Sequence, residues 1–220
     1  MANLSNAQVV DSVMSNRQTQ KMMASEVVES RIDDETLEAV LSAAGTAPFH
    51  LAAAESHRND IDNSSLAPWR VTVLRKDACT RLRSHVLSNG DTTKVPDMLA
   101  AASALFIVTW CPDPSSDLSL IDDDRPYEAT VGNMEHIAAT SAFTQNLLLA
   151  ATARGIATYW SSGGVLKSKG VFRYLDIPAD EILLGAVFVF PAEETTGIDV
   201  KTGKMRDRKG TVDAWSRWHT

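Results

Sequence analysis

A group of polar residues near the N-terminus has the side-chain types that bind phosphate. Arg17, Thr19 and Lys21 alternate with two glutamines, in the order Arg-Gln-Thr-Gln-Lys. In an extended segment, alternate side chains point to the same side, so a guanidinium, a hydroxyl and an ammonium group can converge on one anion. The same pattern is also typical of a solvated polar linker, and the residues alone leave both interpretations open.

Two further segments combine residues that restrict or free the backbone. Pro68 and Trp69 stand before a predicted strand. The run Ala47-Pro48-Phe49-His50, earlier in the chain, also places an aromatic residue directly after a proline. The run Ser161-Ser162-Gly163-Gly164 follows another predicted strand. Its serines and glycines let the backbone approach a planar ligand closely while presenting N–H donors. A plain turn explains either segment equally well.

The C-terminal part of the chain carries a second cluster of positive charge. Five basic residues lie between Lys201 and Lys209, and the one acid among them is Asp207. An anion site and a solvated face both explain this cluster. Residues 192–214 contain few large apolar side chains, yet Trp215 and Trp218 follow them. A polar segment that ends in aromatic residues predicts that 192–220 is an arm packed on a partner subunit.

Composition excludes several classes of protein. The chain has 220 residues, a formal net charge of −7 and a sequence pI near 5.2, which disfavours nucleic acid as a partner. Cys79 and Cys111 are far apart in sequence, as expected in a reducing compartment rather than a disulfide scaffold. The longest apolar run, 98–111, is shorter than the roughly 20 residues that cross a membrane. We therefore expect one cytoplasmic domain over 1–220, without a membrane or nucleic-acid partner.

Standard catalytic and metal-binding motifs are absent from the sequence. The five histidines are scattered, and there is no Gly-x-Gly-x-x-Gly, Walker-type, His-Glu-x-x-His or Gly-x-Ser-x-Gly pattern. We therefore predict no metal site and assign no catalytic side chain.

Helix and strand patterns interleave along the chain and place the polar segments near the ends of elements. The run 104–110 is apolar throughout, which is typical of a central strand buried on both faces. A helix over 131–154 is apolar round most of its circumference and stops before Gly155, so we expect it to be buried. The other predicted elements are helices over 34–46 and 165–175, a short helix opened by Pro96, and strands over 70–75, 156–160 and 182–190.

The order of these segments resembles that of the FMN-dependent nitroreductase family. The series runs from Arg-x-Thr-x-Lys through a helix, Ala-Pro, Pro-Trp-Arg and a strand to a long Asn-Leu-Leu-Leu-Ala-Ala helix, a Trp-containing loop and a basic tail. It extends over residues from about 14 to 218. The resemblance implies an α+β fold, with a mixed sheet flanked by helices in three layers. It also implies a domain-exchanged homodimer with two FMN sites at its interface.

The resemblance assigns a role to residues near the N-terminus. Arg17, Gln18, Thr19 and Lys21 stand where the family holds the FMN phosphate and reaches the pyrimidine edge of the flavin. Lys21 would then stabilise the anionic reduced flavin. Ser65 lies in the segment where the family often contacts flavin through an asparagine and a glutamine, and both of those residues are replaced here.

The resemblance also assigns roles in the second half of the chain. Ser161, Ser162 and Gly163 match the loop that lies along the flavin ring, where a backbone N–H can bond N5 or O4. Arg206 and Arg208 match the basic motif that completes the phosphate site, and Arg208 matches it most closely. The segment 51–64 is longer than the usual connection in the family, and we interpret it as a candidate lid or wall of the substrate pocket.

The activity implied by the resemblance is a two-electron ping-pong reaction. NADH or NADPH would reduce flavin N5, and a small electron-poor acceptor, such as a nitroaromatic or a quinone, would then take the electrons. The flavin carries this chemistry, so no side-chain acid or base is required. Two alternatives stay open: a dimeric interaction protein, with or without FMN, that has no turnover, and an offshoot of the family that consumes its flavin or dehalogenates its substrate.

Overall fold

The computed structural model describes residues 4–58, 64–117, 119, 121, 126–191 and 196–219. Residues 59–63 of the candidate lid, and residues 192–195 and 220 of the predicted arm, lie outside the described part. The helices are α1 (Asn6–Asn16), α2 (Asp34–Ala44), α3 (Lys76–Ser88), α4 (Val95–Ala101), α5 (Val131–Thr152) and α6 (Lys169–Tyr174). The strands are β1 (Gln20–Met23), β2 (Trp69–Arg75), β3 (Ala104–Trp110), β4 (Ala157–Ser161), β5 (Ile182–Phe190) and β6 (Asp199–Thr202).

The main sheet has four antiparallel strands in the order β2-β3-β5-β4. Every residue of β3 is buried, which confirms the prediction of a central strand from its unbroken apolar run. A second sheet pairs β1 with β6, and a parallel bridge between Thr19 and Thr158 joins the start of β1 to the edge strand β4. The segment that begins with Arg17 therefore lies beside β4.

Two apolar clusters pack on opposite faces of the main sheet. One combines residues of α3 and α4 with one face of β3 and β5, and the other combines α2 and α5 with the opposite face. The result is three layers, helix on sheet on helix, as the α+β prediction requires. None of the described helices is both long and apolar enough to cross a membrane.

The long helix α5 confirms the predicted helix over 131–154. Its side chains include ten buried residues, and the chain leaves the helix through Gly155, which has a φ of 71°. A positive φ is accessible to glycine at little cost and is the usual way in which a helix is terminated. The first half of α5 nevertheless keeps two exposed apolar side chains, Val131 and Met134.

Several elements differ from the sequence-based expectations. The predicted helix over 165–175 is divided into a 3-10 turn, Gly164–Lys167, and helix α6, because the Ser168 hydroxyl accepts from the backbone N–H of Val171 and starts a new helix. The polar arm contains strand β6, and its partner among the described residues is β1. Helix α3 was not predicted, although Cys79, Leu82 and Val86 form its buried face.

Lys76 at the start of α3 has a structural role that the sequence does not reveal. Its side chain is 2% exposed, and its Nζ donates to the carbonyl oxygens of Ala100 and Ala102, both at 2.9 Å. These carbonyls stand at the C-terminal end of α4, where positive charge is favourable. The lysine thus joins the two helices on one face of the sheet.

Candidate functional site

The segment between α1 and β1 places Arg17 where the chain changes from helix to strand. Helix α1 begins with a capping box in which Ser5 and Gln8 satisfy each other's backbone N–H groups. It ends at Asn16, and the C-cap residue Arg17 has an extended backbone, with a φ of −61° and a ψ of 117°. The extended backbone then continues through Thr19 into β1, so the local geometry has the alternation that the Arg-x-Thr-x-Lys pattern requires.

The C-terminal arm meets this segment through Arg206. Nη1 of Arg206 donates to the carbonyl oxygens of Ser15, at 3.0 Å, and Arg17, at 2.6 Å. The backbone N–H of Gly203 donates to the carbonyl oxygen of Thr19 at 2.8 Å. A side chain on Gly203 would begin 3.0 Å from Thr19 Cβ, so the close approach of the two segments depends on this glycine.

Two cavities lie beside these contacts. One, of about 610 Å³, is bounded by the arm and the segment before β1; the other, of about 450 Å³, reaches toward α5 and β4. Arg17, Thr19 and Arg206 line both of them. The remaining lining residues of the larger cavity are Ser15, Gln18, Thr202, Gly203, Met205, Asp207, Lys209 and Gly210. Those of the smaller cavity are Met14, Gln145, Leu148, Thr158 and Trp160.

The charges around these cavities favour an anion. Burial lowers the pKa of the Arg17 guanidinium, and the positive charge of Arg206 lowers it further. Neither arginine forms an ion pair with a carboxylate within the described ranges. Lys209 adds a third positive charge to the larger cavity, against the single acid Asp207. Two neighbouring guanidinium groups without a carboxylate partner match the charge of a phosphate dianion.

Lys21 lies further along the same strand, at a second concentration of positive charge. Its Nζ is 5.6 Å from the centroid of the Tyr159 ring, within cation–π range. Lys201 is directly opposite Lys21 in the β1–β6 register. Burial, then the charges of Lys94 and Lys201, lower the pKa of Lys21, and Asp97 acts in the other direction. An electronegative ligand edge placed here would stabilise the protonated amine.

The serine and glycine segment after β4 forms a tight loop rather than a regular element. Gly163 has a φ of 100°, and its N–H donates to the Ser161 hydroxyl at 3.2 Å. A Cβ at Gly163 would overlap with Cδ2 of Leu183, the second residue of β5. Ser161 is buried and Ser162 is exposed. The loop is therefore held against β5 in a conformation that favours glycine.

A single copy of the chain brings some of the predicted site residues together at the cavities and leaves others elsewhere. Arg17, Gln18, Thr19 and Arg206 meet at the larger cavity, whereas Arg208 lines neither of the two cavities. Ser65 lies just before β2, at the opposite edge of the sheet from β4. Three strand spacings separate those edges, which is about 14 Å. The Ser65 hydroxyl instead accepts from the N–H of Ala67 at 3.1 Å.

Most of the residues that line the two cavities were not among the predicted site residues, and two of them have side chains that could contact a ligand ring. Trp160 and Gln145 line the smaller cavity, from β4 and α5. Gln145 is an exposed polar residue within the mostly apolar 137–151 stretch of α5, and Trp160 stands directly before the serine and glycine loop. Both features were visible in the sequence. Within the described ranges, no group of histidine, cysteine and acidic residues is arranged to hold a metal ion.

Comparison with solved structures shows which fold this is. A nitroreductase-like family protein from Bacillus cereus superposes with a TM-score of 0.60 at 17% identity, covering 97% of this chain and 99% of that one. A nitroreductase with bound FMN from Desulfitobacterium hafniense gives 0.51 at 17% identity, with 90% and 93% covered. A protein from Parabacteroides distasonis, provisionally named NADH dehydrogenase/NAD(P)H nitroreductase, gives 0.52 at 18% identity, with 86% and 90% covered. At these identities the likeness establishes the fold.

Sequence comparison supplies the family. A search of curated proteins finds no match. The profile described as "Nitroreductase family" matches residues 28–189, which is most of the chain and includes the main sheet except for the last residue of β5. The chain therefore belongs to the nitroreductase family of oxidoreductases.

Proposed function

We propose that this protein is an FMN-dependent oxidoreductase that is reduced by NADH or NADPH and passes two electrons to electron-poor acceptors such as nitroaromatics and quinones. The observation that carries the proposal is the pairing of Arg17 with Arg206 beside Thr19. The FMN-bound relative from Desulfitobacterium hafniense and the NAD(P)H nitroreductase name of the Parabacteroides distasonis protein support the choice of cofactor and reductant.

The residues present fit FMN at both of its polar ends. Arg17, Thr19 and Arg206 would hold the phosphate, because two guanidinium groups and a hydroxyl match its charge and its acceptors. At about 3.3 Å per residue, Lys21 stands roughly 13 Å further along the extended segment. It would face the pyrimidine edge and favour the anionic reduced form of the ring.

Other residues of the chain would orient the ring system and restrict access to it. The 161–164 loop stands at the end of β4, directly after Trp160. Trp160, Leu148 and Met14 supply an apolar wall to the smaller cavity. When bound, the flavin supplies the hydride-accepting centre, so the protein needs to provide position, charge and exclusion of water.

Absorbance spectroscopy tests this function. The purified protein should show the visible absorbance bands of bound flavin or acquire them with FMN, should bleach anaerobically with NADH or NADPH, and should recover its colour when a nitroaromatic or quinone is added. Absence of any flavin binding would refute the proposal. Binding without bleaching would support the non-catalytic alternative, and loss of flavin on each cycle would support the flavin-consuming one.

We also propose that the protein acts as a homodimer in the reducing cytoplasm. Helix α1 buries none of its residues within the chain, although Val9, Val10 and Met14 are apolar. An isolated helix of 11 residues is marginally stable in water, so a second copy is the natural cover for it. Trp215 and Trp218 are exposed at the end of the arm, and a second copy of the chain would cover them in the same way. Cys79 and Cys111 are unpaired and buried, as is usual for cytoplasmic proteins.

Light scattering during size-exclusion chromatography tests the dimer. We expect twice the 23.9 kDa chain mass for the wild type. A Trp215→Ser/Trp218→Ser variant should shift toward the monomer, because the arm loses its two largest apolar contacts. Leu87→Ser, an exposed apolar position on α3, is the matched control and should remain dimeric. A monomeric wild type at micromolar concentration would contradict the proposal.

A further inference from the structure

The C-terminal arm contributes little apolar surface to the core of its own chain. Strand β6 is exposed at all four of its positions. Of the described residues 196–219, two are half-buried, Ile198 and Ser216, and the rest are exposed. The partner strand β1, by contrast, buries Met22 and Met23 in the core. When the β1–β6 ribbon opens, β6 is therefore the strand that leaves and β1 the strand that stays.

Hydrogen bonds hold the arm against the segment before β1. Strand β6 pairs with β1 over four residues, and the N–H of Gly203 donates to the carbonyl oxygen of Thr19 at 2.8 Å. Nη1 of Arg206 donates to the carbonyl oxygens of Ser15 and Arg17. Exposed hydrogen bonds contribute little net free energy, because water offers the same groups equivalent partners. A two-stranded ribbon is accordingly marginally stable in water, and this arm has little apolar burial to add.

The charges that meet at this contact oppose it. Burial and then the positive charge of Arg206 lower the pKa of the Arg17 guanidinium, which reflects repulsion between the two cations. Neither arginine pairs with a carboxylate in the part of the chain that the structure describes. Lys209 brings a further positive charge to the larger cavity. The arm therefore docks with its cations facing another cation.

A phosphate group at this place would reverse the sign of the interaction. A dianion between Arg17 and Arg206 attracts both guanidinium groups, which then hold the arm and the segment before β1 together. Nη1 of Arg206 makes both of its carbonyl contacts. Since a guanidinium carries five N–H donors, Arg206 can bind an anion and keep its bonds to the backbone.

We propose that residues 199–210, which we call the strap, are locked onto the segment before β1 by a phosphate group bound between Arg17 and Arg206, and detach when it leaves. The identification of this phosphate with that of FMN rests on the proposed function. The response of the strap to phosphate does not require flavin. A ligand that binds the docked form alone shifts the equilibrium toward it, and docking raises the affinity for the ligand by the same factor.

Hydrogen exchange of the strap measures how often it detaches, because the amides of β6 and Gly203 exchange when their bonds to β1 and Thr19 open. The apoprotein is compared in sodium chloride, in inorganic phosphate of equal ionic strength, with FMN and with riboflavin. Exchange in a peptide over 199–206 should be about tenfold slower when phosphate or FMN is present at about ten times its dissociation constant. Riboflavin, which has no phosphate, should leave the rate unchanged.

Arg206→Gln distinguishes the phosphate response from a purely structural role of this side chain. Glutamine keeps an N–H donor for the carbonyl oxygens and removes the charge. In sodium chloride the strap of this variant should exchange no faster than that of the wild type, because the repulsion from Arg17 is gone. Phosphate should then have little effect. Arg208→Gln is the matched control: it removes the same charge from the same arm at a residue that lines neither cavity, and should respond to phosphate as the wild type does.

Three results would overturn the proposal. The first is strap exchange in the wild type that neither phosphate nor FMN slows. The second is equal slowing by riboflavin and FMN, or equal responses of the Arg206 and Arg208 variants, because the phosphate would then not act through Arg206. The third is slowing of exchange in α3 by the same factor as in the strap, because that would indicate general stabilisation.

Flavin absorbance, measured on the same samples, separates this proposal from the proposed function. If the protein binds no FMN but inorganic phosphate slows exchange in the strap, the function fails and the strap stands. If FMN binds and is reduced by NADH or NADPH while the strap does not respond, the strap fails and the function stands.

Discussion

Substitution of Arg206 by alanine is expected to weaken FMN binding by about thirtyfold, the equivalent of about 2 kcal/mol for a charge-assisted hydrogen bond. Arg17→Ala should have an effect of similar size. Arg206 and Arg17 line both cavities, and Arg206 also holds the arm against the backbone of Ser15 and Arg17. Fluorescence titration of the apoprotein with FMN measures both dissociation constants.

The neighbouring arginine provides the control. Arg208→Ala removes the same charge from the same arm, but Arg208 lines neither cavity. The dissociation constant of this variant for FMN should therefore stay within about twofold of the wild-type value, as expected for a surface charge. Equal losses in the two variants would mean that only the total charge of the arm matters. A larger loss for Arg208 would show that it, rather than Arg206, completes the phosphate site.

Gly185→Ala is expected to lower the free energy of unfolding by about 2 to 3 kcal/mol, as overpacking of a well-filled core does. A Cβ at Gly185 would overlap with Nε1 of Trp160 and would lie 2.6 Å from its Cδ1 and 3.0 Å from the carbonyl oxygen of Ser161. The indole must therefore move, and it lines the smaller cavity. We expect weaker FMN binding together with the loss of stability, measured by urea unfolding and by FMN titration.

Gly170→Ala is the matched control for this substitution. The position lies in α6, where an added Cβ would be 3.9 Å from the Ser168 hydroxyl oxygen, so alanine should be neutral or slightly stabilising. If Gly185→Ala unfolds like the wild type, the space beside Trp160 is larger than described. If stability falls but FMN binding does not, Trp160 has no role in the cofactor site.

Long elements with one dominant pattern were predictable from the sequence. The central strand β3 was recognisable because it is apolar at every position, and α5 because its apolar run ends before Gly155. Short or polar elements were harder. Strands β1 and β6 are four residues each, too short to show a clear alternation, and each supplies backbone hydrogen bonds to the other.

The candidate site shows the same division. The available chemistry was recognisable from residue types, because Arg17, Thr19 and the basic tail are anion-binding types whatever their positions. The folded chain was needed to show that Arg206 rather than Arg208 meets Arg17, and that Ser65 lies at the far edge of the sheet. Strand order and the direction of side chains in an irregular arm depend on contacts between residues nearly 200 positions apart, such as that between Arg17 and Arg206. No local pattern contains that information.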